Sequence, residues 1–172
     1  MTKRFAWGDS PGPDVANLQL KFWQLAVEMF DRIVENWRTY AVDEEGEWPE
    51  ASDDYTENEF VIDAAVALVL AGTSISELIG QNVFPHGEKT PHLRPAYKIL
   101  LRDEIPDDVE SFFSIYDALR HFGPAKHTAV DEITEEGFCK YFETAQSIWQ
   151  EVLKKRGKEI ADEFRRCFRF PE

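Results

Sequence analysis

Between Ser111 and His127 the chain reads SFFSIYDALRHFGPAKH, and this short span crowds an arginine, a lysine and two histidines, groups able to bind phosphate or move a proton, into one corner. Arg120 and His121 fall on the last turn of an apolar-striped segment. Gly123-Pro124 breaks it, and Lys126 and His127 follow. A guanidinium presents its donors in a fixed fork that matches phosphate oxygens. An imidazole titrates near neutrality and can both take and give a proton. Together they are sufficient for phosphodiester transfer in RNA without a metal. One group activates the 2′-hydroxyl, another protonates the leaving oxygen, and a cation offsets the charge that builds on phosphorus. Helix stability alone also accounts for Arg120 and His121, because cations are favoured at the negative end of the helix dipole.

That corner needs a helix to carry it, and the pattern around it supplies one. Pro106 suits a first turn, and Asp107 and Asp108 suit the positive end of the dipole. Val109, Phe112, Phe113, Tyr116 and Leu119 form the buried stripe, and Gly123 suits the left-handed position after the last turn. Elsewhere the same period recurs. Asp14 opens a helix to about Tyr40, with a broad stripe through Val15, Leu18, Phe22, Leu25, Met29, Ile33 and Trp37 that Leu20, Trp23 and Phe30 widen. Glu59 to Ala71 is apolar almost all round and so central. Gly72 is expected to end it, with Ser74 and Glu77 forming a capping box for a short helix to Gly80. Pro91 or Pro95 opens a segment to Arg102. Thr134 caps a helix with Phe138, Tyr141, Phe142, Ala145, Ile148, Trp149, Val152 and Leu153 on its face, closed by Lys154, Lys155, Arg156 and Gly157. A last helix spans Glu159 to about Phe168. No segment alternates as a strand does. The expected fold is all-α: an up-and-down bundle of four to five core helices with short extra helices.

Length and composition agree with one helical domain over residues 1–172. The chain has 172 residues, 43% of them apolar and 13% aromatic, enough for a real core. Residues 1–13 read as a loose lead-in without an apolar run, so not as a signal peptide. Cys139 and Cys167 form no framework, and reduced thiols in a cytoplasmic protein are the expectation. The apolar stretch from Phe60 to Ala71 falls short of the roughly 20 residues that a bilayer demands, so no membrane span is expected. The net charge is −14, but it is unevenly placed. No lysine or arginine occurs between Arg38 and Lys89, and the twelve acids in that gap leave a nearly neutral remainder. Residues 41–58 are the acidic core of the gap and read as a solvated loop, since the spacing of a calcium-binding EF-hand is absent. Global acidity argues against nonspecific coating of nucleic acid but leaves room for a local phosphate site.

Arg120-His121 followed, after a spacer, by His127 resembles the signature of the HEPN superfamily of small helical domains: an arginine, a polar residue next to it, and a histidine beyond the helix break. The helical segments from about residue 14 to 156 can supply that family's bundle. The resemblance implies a metal-independent endoribonuclease of the toxin or defence-effector kind, without a cofactor, working as a homodimer whose two motifs line one cleft. It implies that His127 is the acid/base group, that Arg120 holds the scissile phosphate and that His121 assists. Lys126 and Tyr116 are the candidate substrate-binding positions, although Tyr116 also fits the core. The implied partners are RNA, a second copy of the chain and a cognate protein such as an antitoxin. Other domains of this type are binding or dimerisation modules without catalysis, and that remains the alternative.

Three further candidates are weaker. His86 and His92, with Glu88 between them, flank a proline-containing loop and could be considered for a metal, but their spacing matches no helical ligand pair, and no metal is expected. Gly87-Glu-Lys-Thr90 lacks the first glycine and the preceding strand of a phosphate-binding loop. Cys139 has no histidine near it in sequence, so burial is the simpler expectation.

Overall fold

Apolar residues at three- and four-residue spacing dominate the chain, and the computed structural model, which describes residues 18–40, 57–83, 92–121 and 133–155, resolves them into helices with no strand among the described residues. The helices are α1 (Leu18–Tyr40), α2 (Glu57–Val83), α3 (Leu93–Leu100), α4 (Asp107–Arg120) and α5 (Glu135–Lys155). The all-α bundle expected from the pattern is what forms.

Side-chain partners give the directions. Gln19 meets Ser74 and Arg32 meets Asp63, so α1 and α2 run antiparallel. Trp23 packs on Trp149 and Phe30 on Phe138, so α1 and α5 are antiparallel too. Phe60 meets Phe138 and Ser74 meets Trp149, which makes α2 and α5 parallel. Arg102 pairs with Glu151, and Lys155 reaches the Leu101 carbonyl at 3.4 Å, so α4 starts beside the C-terminal end of α5. The four long helices therefore alternate in direction, and α3 is a short element laid across α2.

An aromatic slab fills the space between α1, α2 and α5. Phe30 stacks on Phe142 at 4.5 Å between centroids, Trp23 stacks on Phe142 at 5.4 Å, and Phe60 sets its edge on Phe138 at 6.1 Å. Each such ring buries enough area for about 2–3 kcal/mol, with ring geometry adding up to about 1 kcal/mol per pair. One polar chain crosses this slab. The Ser74 hydroxyl donates to the Gln19 carbonyl at 2.6 Å and accepts from Trp149 Nε1 at 3.0 Å.

Several local expectations hold. Thr134 caps α5, its Oγ1 accepting from the Gly137 amide at 3.1 Å, and Ile133 and Phe138 on either side are both buried. Asp107, Asp108 and Glu110 occupy the first turn of α4 directly after Pro106. All five residues expected in the α4 stripe are buried, as is Ile115.

Others are corrected. Gly72 does not end a helix, and Ser74 does not cap one: α2 is continuous through both to Val83. A glycine inside a helix costs about 1 kcal/mol, too little to break one whose apolar sides are packed all round. The Ser74 side chain is turned to α1 and α5 instead of to its own backbone. Two residues of the expected 41–58 loop, Glu57 and Asn58, already belong to α2. On α1 the buried line runs through Trp23, Ala26, Val27, Phe30 and Ile33, whereas Leu25 is 46% exposed. Trp23 and Phe30 face the slab and rotate the stripe toward themselves. α2 from Glu59 to Gly80 is long and apolar enough to cross a bilayer by length and composition, and more than half of it is buried in the bundle. The lead-in 1–13, the remainder of the acidic loop and the segment from Glu159 lie outside the described residues.

Candidate active site

The candidate corner is the C-terminal end of α4, and its seat is built by α2. Tyr116 is 2% exposed and lies against the α2 backbone at Gly72. A Cβ at position 72 would stand 2.6 Å from Tyr116 Cε2 and no farther from Cγ and Cδ2. Only the absence of a side chain lets the ring approach so closely. The Tyr116 hydroxyl is 3.4 Å from Thr73 Oγ1 on the same turn of α2. Tyr116 is thus a core residue beneath the site and does not line an open cleft, because its ring is spent on packing.

Arg120 is the last residue of α4 and is exposed. Its guanidinium carbon stands 5.2 Å from the Tyr116 ring centroid, within the range of a cation–π contact. Nη2 reaches Asp117 Oδ1 at 3.4 Å and His121 Nε2 at 3.1 Å. A guanidinium nitrogen only donates, so His121 Nε2 is the acceptor in this contact. His121 follows α4 as its cap, its backbone amide donating to the Asp117 carbonyl at 3.3 Å. Arg120 and His121 are therefore brought together as expected. Lys126 and His127 lie outside the described residues, as do His86 and Glu88.

Behind Arg120 stands a second arginine that the sequence pattern did not single out. Arg94, on α3, donates through Nε to both Glu110 oxygens at 2.7 and 3.0 Å, through Nη1 to Asp117 Oδ2 at 2.6 Å, and through Nη2 to Ser114 Oγ at 3.1 Å. Its guanidinium also lies 5.9 Å from the Phe113 ring centroid. Burial works against its charge, but the hydrogen bonds it donates to Asp117 and Glu110 outweigh that and hold Arg94 above the ordinary arginine value. Its proton is permanent. Asp117 is shared: one oxygen serves Arg94, the other Arg120. Glu110, Ser114, Asp117 and His121 follow one another at helical spacing on one side of α4, and that polar stripe was readable. That Arg94 would lie along it was not, since α3 meets α4 only through the tertiary fold.

Of the remaining candidates, His92 and Cys139 are described, and residues 87–90 lie outside the described residues. His92 is exposed just before α3 and its side chain makes no capping bond. No group of three or more histidine, cysteine, aspartate or glutamate side chains with metal-binding geometry occurs among the described residues. Burial, helped by Glu135 and Glu143, pushes the Cys139 thiol up and away from the reactive thiolate.

No protein-family model, curated protein or solved structure matches this chain.

Proposed function

We propose that the chain is a HEPN-like, metal-independent endoribonuclease, acting in the cytoplasm as a homodimer and, in a toxin or defence setting, held in check by a cognate protein. The observation that carries the reading is the exposed Arg120 guanidinium, set on Tyr116 and hydrogen-bonded to His121 at 3.1 Å. An anion-binding fork and a proton-accepting ring nitrogen stand side by side at one helix end. In the proposed reaction Arg120 binds the scissile phosphate, with Lys126 adding charge. His127 and His121 share the proton traffic: a 2′-hydroxyl loses its proton as it attacks phosphorus, and the 5′-oxygen gains one as it leaves. The product is a cyclic 2′,3′-phosphate.

The test is cleavage of RNA by the purified protein in EDTA, with Arg120→Ala and His127→Ala beside the wild type. Cleavage by the wild type alone, leaving cyclic-phosphate ends, is expected. No cleavage, or equal cleavage by all three, removes the reading.

A second reading, a non-catalytic interaction module, draws on a different observation. Ile62 and Val66, one turn apart on α2, are 60% and 43% exposed, which is unusual for neighbouring large apolar residues on a helix otherwise given to the core. Binding of a protein partner that survives both Arg120→Ala and His127→Ala, but is lost in Ile62→Asp, favours this module.

A further inference from the structure

Arg120 is a useful anion ligand only if its charge is not already neutralised, and its nearest carboxylate is Asp117 on the preceding turn. Two carboxylates, Glu110 and Asp117, lie along this side of α4, so the corner begins with an excess of negative charge. The distances show how the excess is distributed. Arg94 takes both oxygens of Glu110 and makes the short contact to Asp117, at 2.6 Å. Arg120 is left with the longer one, at 3.4 Å to the other Asp117 oxygen. Charge-assisted hydrogen bonds are strongest at about 2.7–2.9 Å, so the Arg94 contact to Asp117 is the stronger of the two. Asp117 is therefore held more tightly by Arg94 than by Arg120, and the Arg120 guanidinium is the less neutralised of the two.

We propose that Arg94 is a positioning residue for the Arg120 site: by engaging Glu110 and Asp117 together it keeps the Arg120 guanidinium available to a phosphate that Arg94 itself does not touch. The inference rests on reading Arg120 as a phosphate ligand, and it names what sets that ligand's strength. Phe113 supports Arg94 as Tyr116 supports Arg120, so each guanidinium rests on a ring of α4 and the two share one carboxylate between them. Without Arg94, Asp117 turns to Arg120, and Glu110 adds an unbalanced negative charge along the same side of the helix. Without the Asp117 charge, Arg120 is freer than in the natural protein. The two changes act in opposite directions on anion binding.

The experiment measures the affinity of a fluorescent oligodeoxyuridine strand at low salt. The strand carries phosphates but no 2′-hydroxyl, so binding is read apart from any cleavage. Arg94→Gln should weaken binding about three- to tenfold, and Asp117→Asn should tighten it about two- to fourfold, the size expected of one charge acting across a partly solvated gap. The double variant should return toward the wild type. In an Arg120→Ala background neither change should matter. Arg94→Lys retains the charge but not the fork that reaches Glu110 and Asp117 together, so its affinity should fall between those of the wild type and Arg94→Gln, also covering the case in which Arg94→Gln folds poorly.

A purely structural Arg94 lowers thermal stability without this reversal of sign. Equal weakening by Arg94→Gln and Asp117→Asn, an unchanged affinity in both, or no binding by the wild type overturns the proposal. If the signs reverse as expected but wild type cleaves no RNA, the nuclease reading falls and the tuned anion site stands. If RNA is cleaved but the signs do not reverse, only this inference falls.

Discussion

The polar chain through Ser74 and the polar cluster around Arg94 are both held by α2 and its neighbours, yet they sit in opposite surroundings. At Ser74 two neutral hydrogen bonds join three helices, and the residue itself is 0% exposed. At Arg94 four hydrogen bonds join two helices at the edge, with the guanidinium 31% exposed and its carboxylates more so. Number and charge alone would rank the Arg94 cluster above the Ser74 chain. Solvent reverses the order. A buried donor deprived of its partner costs about 1–3 kcal/mol, whereas exposed ion pairs contribute about 0–1 kcal/mol because water and salt compete for them. Stability resides in the neutral contact, and the charged one is free to serve recognition.

The strongest way to break this division is at Gly72, two residues before Ser74 and against Tyr116, the ring beneath Arg120. Gly72→Val places two methyl groups into the buried Tyr116 ring and should cost about 3 kcal/mol in urea unfolding, while also displacing Arg120 and weakening oligonucleotide binding. Ser74→Ala comes next. It removes one partner each from Trp149 Nε1 and the Gln19 carbonyl, and a loss of about 2 kcal/mol is expected, unchanged between low and high salt. Arg94→Gln, despite the larger number of bonds lost, should cost at most about 1 kcal/mol, and that cost should shrink in molar salt. A cost exceeding that of Ser74→Ala would invert the comparison.

The smallest effect at neutral pH belongs to Tyr97→Phe. Burial, with Glu151 adding to it and Arg102 opposing, raises the Tyr97 phenol above its ordinary value. The folded state thus prefers the neutral phenol. Its contribution is complete below the unfolded value of about 10 and is lost as pH rises from there through the folded value. Unfolding followed from pH 8 to 11 should therefore show a steeper alkaline decline in the wild type than in Tyr97→Phe.

Much of the fold was legible because apolar period and capping chemistry are local. The α4 stripe, the Thr134 cap and the continuous apolar face of α5 needed no tertiary information. α2 was misjudged for the same reason: Gly72 and Ser74 resemble a stop and a start when only their own segment is considered. Their actual partners, Tyr116 on α4, the Gln19 carbonyl on α1 and Trp149 on α5, lie more than forty residues away. The same limit applies at the site. Arg120 and His121 are sequence neighbours and were found together, and Asp117 lies one turn away on the same side. Arg94 enters from α3, and nothing in its own surroundings, Leu93-Arg94-Pro95, distinguishes it from a solvated surface arginine.

Hydrophobic contact has no preferred direction. Rings stacked along parallel or antiparallel helices would still find partners after one helix slid by a turn, about 5.4 Å. A hydroxyl that must meet one indole nitrogen and one carbonyl allows no such slip. Ser74 is therefore the index mark against which α1 and α5 are set lengthwise. Gly72 and Thr73, immediately before it on α2, seat Tyr116 beneath Arg120. Three consecutive residues thus fix the longitudinal scale of the bundle and the height of the cationic corner on one turn of one helix, so a shift in the first would be carried directly to the second.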